Sequence, residues 1–134
     1  MRVVLDANVA IAAAATRGLC DAVLELCIER HRIVLCRGIL AEIEDKLRRK
    51  LRIPRAIVAE YVKYLENNAQ VVEPATIASS ACRDPDDLMV LGVALSGGAD
   101  VVVTGDHDLL SLKSFKGIKI VAPRMFWETH QKQE

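Results

Sequence analysis

The chain has 134 residues, of which 51% are hydrophobic and 27% charged, values typical of one globular domain, so residues 1–134 are treated as a single domain. Basic and acidic residues each number 18, giving zero net charge. This balance excludes a globally basic nucleic-acid-binding protein, so any polyanion must bind to a local patch. The apolar start is too short for a signal peptide and no run reaches the length of a membrane span, which predicts no membrane association.

The cysteines indicate a reducing environment. The four residues show no C-x-x-C pair and no accompanying histidine spacing, which argues against a zinc site or a disulfide framework. We expect buried, reduced thiols and a cytoplasmic location. The residues concerned are Cys20, Cys27, Cys36 and Cys82.

Short apolar strands alternate with helices along the first half of the chain. The β-branched start ends in a carboxylate, Asp6, and an alanine-rich segment with high helix propensity follows it. The predicted elements are a strand over 2–5, helices over 9–15 and 19–30, a strand over 33–36, a helix from about Ile39 to Leu51, and a helix from Pro54 to about Asn67.

The second half continues the alternation. Asp84 followed by Pro85 is a helix-start signature, and the helix it opens is apolar nearly all round, so it must be covered on more than one side. The predicted elements are a weak strand at 71–72, a loop over 74–83, a helix over 86–96, a strand over 101–104, a short helix over 109–112, a strand over 118–121, a helix over 123–127 and a frayed tail from His130.

This alternation predicts the fold class. Buried strands separated by helices favour a parallel sheet that is covered on both faces. We therefore expect an α/β protein with three α/β/α layers and a central parallel sheet of four to five strands.

Carboxylates follow two of the predicted strands. Asp6 ends the first strand, and Asp106 and Asp108 follow the strand over 101–104. Because parallel strands point the same way, Asp6 and Asp106 should meet at one edge of the sheet. Asp87 lies in the first turn of the helix leading into that strand. Simpler roles stay open for two of these residues, since Asp108 could cap a short helix at Leu109 and Asp87 could be a capping carboxylate.

Repulsion among such carboxylates favours a metal ion. Two like charges about 5 Å apart repel by roughly 3 kcal/mol at an effective dielectric constant of 20. Several such pairs would consume much of the stability of a domain, which is about 5–15 kcal/mol. Oxygen ligands without histidine or cysteine suit Mg²⁺ or Mn²⁺.

Four segments of the chain resemble the motifs of PIN-domain ribonucleases, in particular the toxin components of toxin–antitoxin pairs (VapC-type or related PIN-family toxins). The motifs occur in the same order, and the resemblance covers essentially the whole chain. The segments are Leu5-Asp6-Ala7-Asn8, Leu40-Ala41-Glu42-Ile43, Asp84-Pro85-Asp86-Asp87 and Thr104-Gly105-Asp106-His107-Asp108-Leu109-Leu110.

The resemblance implies a metal-dependent endonuclease that acts on RNA, with an antitoxin protein as partner. It places Asp6, Glu42, Asp87 and Asp106 in an acidic pocket, supported by Asn8, Thr104 and Asp108. In the mechanism we expect, Asp6, Asp87 and Asp106 hold one or two Mg²⁺ ions, with Glu42 completing the pocket.

For two of these acids, Glu42 and Asp87, the resemblance decides between the residue and an acidic neighbour. The apolar stripe of the helix from Ile39 places Glu44 nearer the buried face than Glu42, so Glu42 rests on the family pattern alone. Asp87 is preferred to Asp86 because the family's acid lies just before the apolar helix. His107 is interpreted as an exposed turn residue.

A basic stretch ends the helix that carries Glu42. Its cations either form a solvated helix surface favoured at a helix C-terminus or contact RNA phosphates. The residues proposed for RNA contact are Arg48, Arg49, Lys50 and Arg52.

The sequence is also compatible with two other functions, and it predicts a homodimer. A small phosphatase with an aspartate nucleophile would need an acid two residues after Asp6, where this chain has Asn8. A non-catalytic interaction module is the second alternative. A homodimer is expected because the helix over 86–96 and the segment over 9–15 carry more aliphatic surface than one sheet face covers, and because the resemblance implies it.

Overall fold

The structure is a computed structural model that describes residues 1–131. Strands and helices alternate along it, as the sequence predicts. The elements are β1 (Arg2–Leu5), α1 (Ala7–Ala15), α2 (Leu19–Arg30), β2 (Arg32–Leu35), α3 (Arg37–Arg49), α4 (Arg55–Asn67), β3 (Ala69–Val71), α5 (Pro85–Ser96), β4 (Val101–Val103), α6 (His107–Leu112), β5 (Ser114–Phe115), β6 (Ile118–Val121) and α7 (Pro123–His130).

The sheet has the strand order β3-β2-β1-β4-β6-β5. The first five strands in this order are parallel, and β5 pairs antiparallel with β6. The predicted three-layer α/β/α fold with five parallel strands is therefore confirmed. The sixth strand was not predicted, because two residues are too few to give a periodic pattern.

The central strands are buried because helices cover both faces of the sheet. Val3 and Val4 of β1 are fully buried, and Val3 is in register with Ile33 of β2 and Val101 of β4. The ladder continues past the strand ends, where the Asp6 N–H donates to the Val103 carbonyl oxygen at 3.0 Å. This extra hydrogen bond holds the carboxyl ends of β1 and β4 together.

Most predicted bounds differ from the observed ones by one or two residues, but three differ for structural reasons. α3 begins at Arg37, before its apolar stripe. α6 begins at His107 because Asp106 caps it, so the interpretation of Asp108 as the cap was wrong. α7 continues to His130, so His130 is not part of a frayed tail, and residues 132–134 of that tail lie outside the described residues.

The apolar helix α5 is covered within the chain. It packs between the sheet and the loop after β3, where the Ala75 N–H donates to the Gly92 carbonyl oxygen at 2.9 Å. A Cβ at Gly92 would lie 2.3 Å from the Ala75 carbonyl oxygen, so only glycine allows this approach. Most of the α5 surface is therefore covered within the chain, although Leu95 is 37% exposed, and the homodimer expected from the sequence stays a prediction.

The four cysteines are free thiols, of which Cys27, Cys36 and Cys82 are buried as predicted, whereas Cys20 is only partly buried. Within residues 1–131 no helix is both long enough and apolar enough to cross a membrane.

Candidate active site

A threonine joins the carboxyl ends of β1 and β4. The Thr104 hydroxyl is fully buried and donates to Asp6 Oδ2 at 2.6 Å. The Thr104 hydroxyl oxygen in turn accepts a hydrogen bond from the Asp106 N–H at 2.9 Å. Thr104 therefore positions the Asp6 carboxylate and the backbone of Asp106, which is the supporting role expected of it.

Asp106 and Asp108 both face the N-terminal turn of α5. Asp106 Oδ1 accepts from the Leu109 N–H at 3.1 Å and so caps α6. Since Asp108 lies in the first turn of the helix that Asp106 caps, it is brought to the same side. One carboxylate oxygen from each of Asp87, Asp106 and Asp108 lies within 4.8 Å of the other two.

Asp87 is the most unusual acid in this group. Its side chain is 4% exposed, and Oδ2 is buried with no hydrogen-bond partner among the described residues. Burial, followed by the charges of Asp106, Asp84, Asp6 and Asp108, raises the pKa of Asp87 to about 7. A buried carboxylate oxygen without a donor is costly, and a cation would offset that cost.

Asp6 lies beside this group but outside it. Burial raises the pKa of Asp6, the Thr104 hydrogen bond opposes that rise, and the charges of Glu42 and Asp106 add to it. The compact group of carboxylate oxygens therefore includes Asp108, whereas the sequence predicted Asp6 as its third member. The reason is local: Asp6 Oδ2 is engaged by Thr104, whereas the first turn of α6 carries Asp108 toward Asp87.

Glu42 lies on the side of α3 that faces Asp6. Its side chain is 19% exposed and pairs with Lys46 at 3.0 Å, whereas the Glu44 side chain is 48% exposed. The geometry thus places Glu42 at the acidic edge, as the family pattern implied and against the expectation from helical periodicity.

The remaining acids of the α5 start have separate positions. Asp84 accepts from the Asp86 N–H at 2.9 Å and caps the helix. Asp86 is exposed, and Asp87 is buried, so burial distinguishes the two acids between which the sequence argument chose. His107 is exposed, as expected. Asn8 is also exposed, and the hydrogen-bond partner of Asp6 is Thr104.

The donor set fits a hard divalent cation. Three carboxylate oxygens converge, one of them buried without a donor, and no histidine or cysteine belongs to the group among the described residues. Mg²⁺ and Mn²⁺ favour such all-oxygen sites, and they retain water and share substrate phosphates.

The family model described as PIN domain matches residues 2–108, which include all the acids of this site. The chain belongs to the PIN domain family. No curated protein matches it.

A solved structure shows the same fold. This PIN domain superposes on a chain in the crystal structure of VapBC2 from Rickettsia felis bound to a DNA fragment from their promoter. The TM-score is 0.64 at 14% identity, and the match covers 91% of this chain and 98% of the other. At this identity the likeness shows a shared fold.

The basic stretch of this PIN domain lies at the far end of α3. Arg48 pairs with Glu44 at 3.5 Å and Arg49 with Asp45 at 3.4 Å, each one helical turn away. These pairs favour a solvated helix surface, and RNA contact by Arg48, Arg49, Lys50 and Arg52 stays a prediction.

The raised pKa of Asp87 gives a pH-dependent stability in the metal-free PIN domain. An acid whose folded pKa is raised binds more protons when folded, so it destabilises the fold as pH rises from about 4 to about 7. Asp87→Asn should therefore unfold with nearly wild-type free energy at low pH and become more stable than wild type above neutrality, by at most about 4 kcal/mol.

Urea unfolding in a metal chelator, repeated across this pH range, measures that difference. Asp45→Asn, at an exposed acid in the middle of α3, is the control and should show a flat difference. A flat difference for Asp87→Asn would show that its carboxyl group titrates normally.

Proposed function

We propose that this PIN domain is a metal-dependent endoribonuclease that hydrolyses RNA phosphodiester bonds. The observation that carries the proposal is the buried, unpartnered Oδ2 of Asp87 beside the carboxylates of Asp106 and Asp108, in a chain of the PIN domain family. Carboxylates held together in this way bind divalent cations, and divalent cations bring phosphodiesters to an acidic site that would otherwise repel them.

Each acid has a role in the proposed mechanism. Asp87, Asp106 and Asp108 would hold the cation, with Asp6 beside them as a further ligand. Thr104 keeps the Asp6 carboxylate oriented through its 2.6 Å hydrogen bond. Glu42 completes the pocket from α3 and is available to accept a proton from the attacking water. A bound Mg²⁺ or Mn²⁺ supplies Lewis-acid activation of water and stabilises charge on the phosphodiester oxygens.

We propose further that the protein is the toxin of a type II toxin–antitoxin system with a protein antitoxin as partner. The likeness to a chain of VapBC2 from Rickettsia felis supports this assignment, together with the toxin-like order of the acidic motifs.

The two alternatives from the sequence are weaker. A phosphatase with an Asp6 nucleophile would need a general acid at position 8, and the residue there is an exposed asparagine. A non-catalytic interaction module is compatible with the fold. Cleavage of RNA by the purified protein would discriminate between such a module and the proposed nuclease.

Substitution of single carboxylates tests the proposed metal site. Asp6→Asn and Asp106→Asn should each lower cleavage of a structured RNA by about a hundredfold or more. Losing a residue that only hydrogen-bonds a metal ligand already lowers metal affinity or activity by about 10- to 100-fold, and losing a ligand should cost at least as much. Neither variant should lose stability without metal, because each relieves repulsion. Saturating Mg²⁺ should raise the melting temperature of the wild type clearly more than that of either variant.

Asp84→Asn is the matched control for this comparison. Asparagine caps a helix nearly as well as aspartate, so cleavage and the Mg²⁺ shift should both stay near the wild-type values. Wild-type cleavage and an unchanged Mg²⁺ shift in Asp6→Asn and Asp106→Asn would refute the proposed site.

We also propose a homodimer, now on a different surface from the one the sequence suggested. Ile57 and Tyr64 of α4 are 55% and 45% exposed, and Leu51 just before α4 is 45% exposed. Ile57 and Tyr64 are seven residues apart and therefore lie on one face of the helix. Large exposed apolar side chains grouped in this way are typical of protein contact surfaces.

Light scattering at tens of micromolar should give the dimer mass for the wild type. Ile57→Ser combined with Tyr64→Ser should shift the mass to that of a monomer without changing the fold. Met125→Ser, at an exposed apolar residue of α7, should leave the dimer intact. A monomeric wild type would rule the assembly out.

A further inference from the structure

Acidic side chains dominate the edge of the sheet where the candidate site lies. Among the described residues, two cations form ion pairs with these acids: Lys46 with Glu42 at 3.0 Å, and Arg83 with Asp108 at 3.6 Å. An RNA strand crossing this edge would bring several phosphates, and a bound cation would neutralise only those in contact with it. The phosphates on either side of the cleaved bond therefore need other partners.

The two ion pairs lie at opposite ends of the acidic edge. α3, with Glu42 and Lys46, follows β2, whereas α6, with Asp108, follows β4. β1 lies between β2 and β4 in the sheet and carries Asp6 at its end. The order along the edge is thus Lys46, Glu42, Asp6, Asp106, Asp108 and Arg83.

Each cation lies beside an acid of this edge, but the two differ in exposure. The Arg83 side chain is 90% exposed and makes a long contact, so its guanidinium can turn from Asp108 to an incoming phosphate. The Lys46 side chain is less exposed, at 31%, and its ammonium group donates to Glu42 Oε2 at 3.0 Å, which places it at the α3 end of the acidic edge.

A cavity adjoins the site on the Arg83 side. It has a volume of about 340 Å³ and is lined by Arg83, Asp108 and the serines Ser79, Ser80 and Ser111. Serine hydroxyls and one guanidinium form a surface suited to the sugar and phosphate of a nucleotide.

We propose that Lys46 and Arg83 are the phosphate-binding residues for the nucleotides that flank the cleaved bond, with the flanking nucleotide on the Arg83 side lying in the serine-lined cavity. The ligand is a single RNA strand that runs along the carboxyl edge of the sheet from α3 to α6. This inference rests on the RNA substrate proposed above and adds the direction in which the strand crosses the site.

The salt dependence of RNA binding tests the proposal without relying on catalysis. A fluorescent single-stranded RNA is titrated with wild-type protein at several KCl concentrations, with Ca²⁺ replacing Mg²⁺ and gels confirming that the RNA stays intact. Each lost phosphate contact should reduce the slope of log K against log salt by about 0.7, which corresponds to about fivefold weaker binding at 0.1 M salt.

Lys46→Gln and Arg83→Gln should each show this loss, and the double variant should show about twice the loss. Lys46→Arg and Arg83→Lys keep the charge and should restore the wild-type slope, which a merely structural role would not predict. Arg32→Gln is the matched control, because Arg32 is an exposed cation at the amino end of β2, on the opposite edge of the sheet, and its slope should not change.

Cleavage of the same RNA with Mg²⁺, measured in parallel, separates this inference from the proposed function. Reduced slopes without any cleavage would support the binding residues and refute the nuclease. Cleavage with wild-type slopes in both glutamine variants would overturn the inference and leave the nuclease standing. A wild type that binds no RNA would overturn both.

Discussion

Repulsion among carboxylates gathered at one edge of a parallel sheet is the constraint on which the candidate site depends. The fold creates this edge, because β1 and β4 are adjacent, run the same way and end at Asp6 and Asp106. Thr104 then holds the two ends together through one donated and one accepted hydrogen bond. The arrangement is costly without a cation, because burial first, and the charges of the neighbouring acids after it, raise the pKa values of Asp6 and Asp87.

The sequence was sufficient for the fold and for the two acids at strand ends. Runs of β-branched residues predicted β1 and β4, and the parallel arrangement followed from the alternation of strands and helices. The meeting of Asp6 and Asp106 at one edge is a geometric consequence of that arrangement. Asp84 and Pro85 likewise predicted the start of α5, since a capping acid followed by proline has few other interpretations.

Periodicity could not select Glu42, because the burial of a helix flank depends on its neighbours. The apolar stripe of α3 orients the helix on the sheet but does not tell which flank faces other elements. Gly38 lies close to Met89 of α5, so the Glu42 flank is turned toward the acidic edge, whereas the Glu44 flank lies near Arg48 and stays exposed. The difference between the buried Asp87 and the exposed Asp86 likewise depends on the tertiary structure.

Helix-capping preferences alone did not distinguish the roles of Asp106 and Asp108. Both are acids at a helix start, and the simpler role left open for Asp108 placed the cap two residues too late. Asp106 caps α6 through Oδ1, and one carboxylate oxygen from each of Asp106 and Asp108 lies near Asp87. Capping therefore contributes to the site, because it orients both side chains toward the buried acid.

Calorimetric titration of Mn²⁺ into the metal-free protein tests the central claim most directly. Heats measured in two buffers with different ionisation enthalpies give the number of protons released on binding. Because the pKa of Asp87 is raised to about 7, binding near pH 6 should release nearly one proton per ion, and binding near pH 9 almost none. Binding without proton release near pH 6, or no binding at all, would contradict the account.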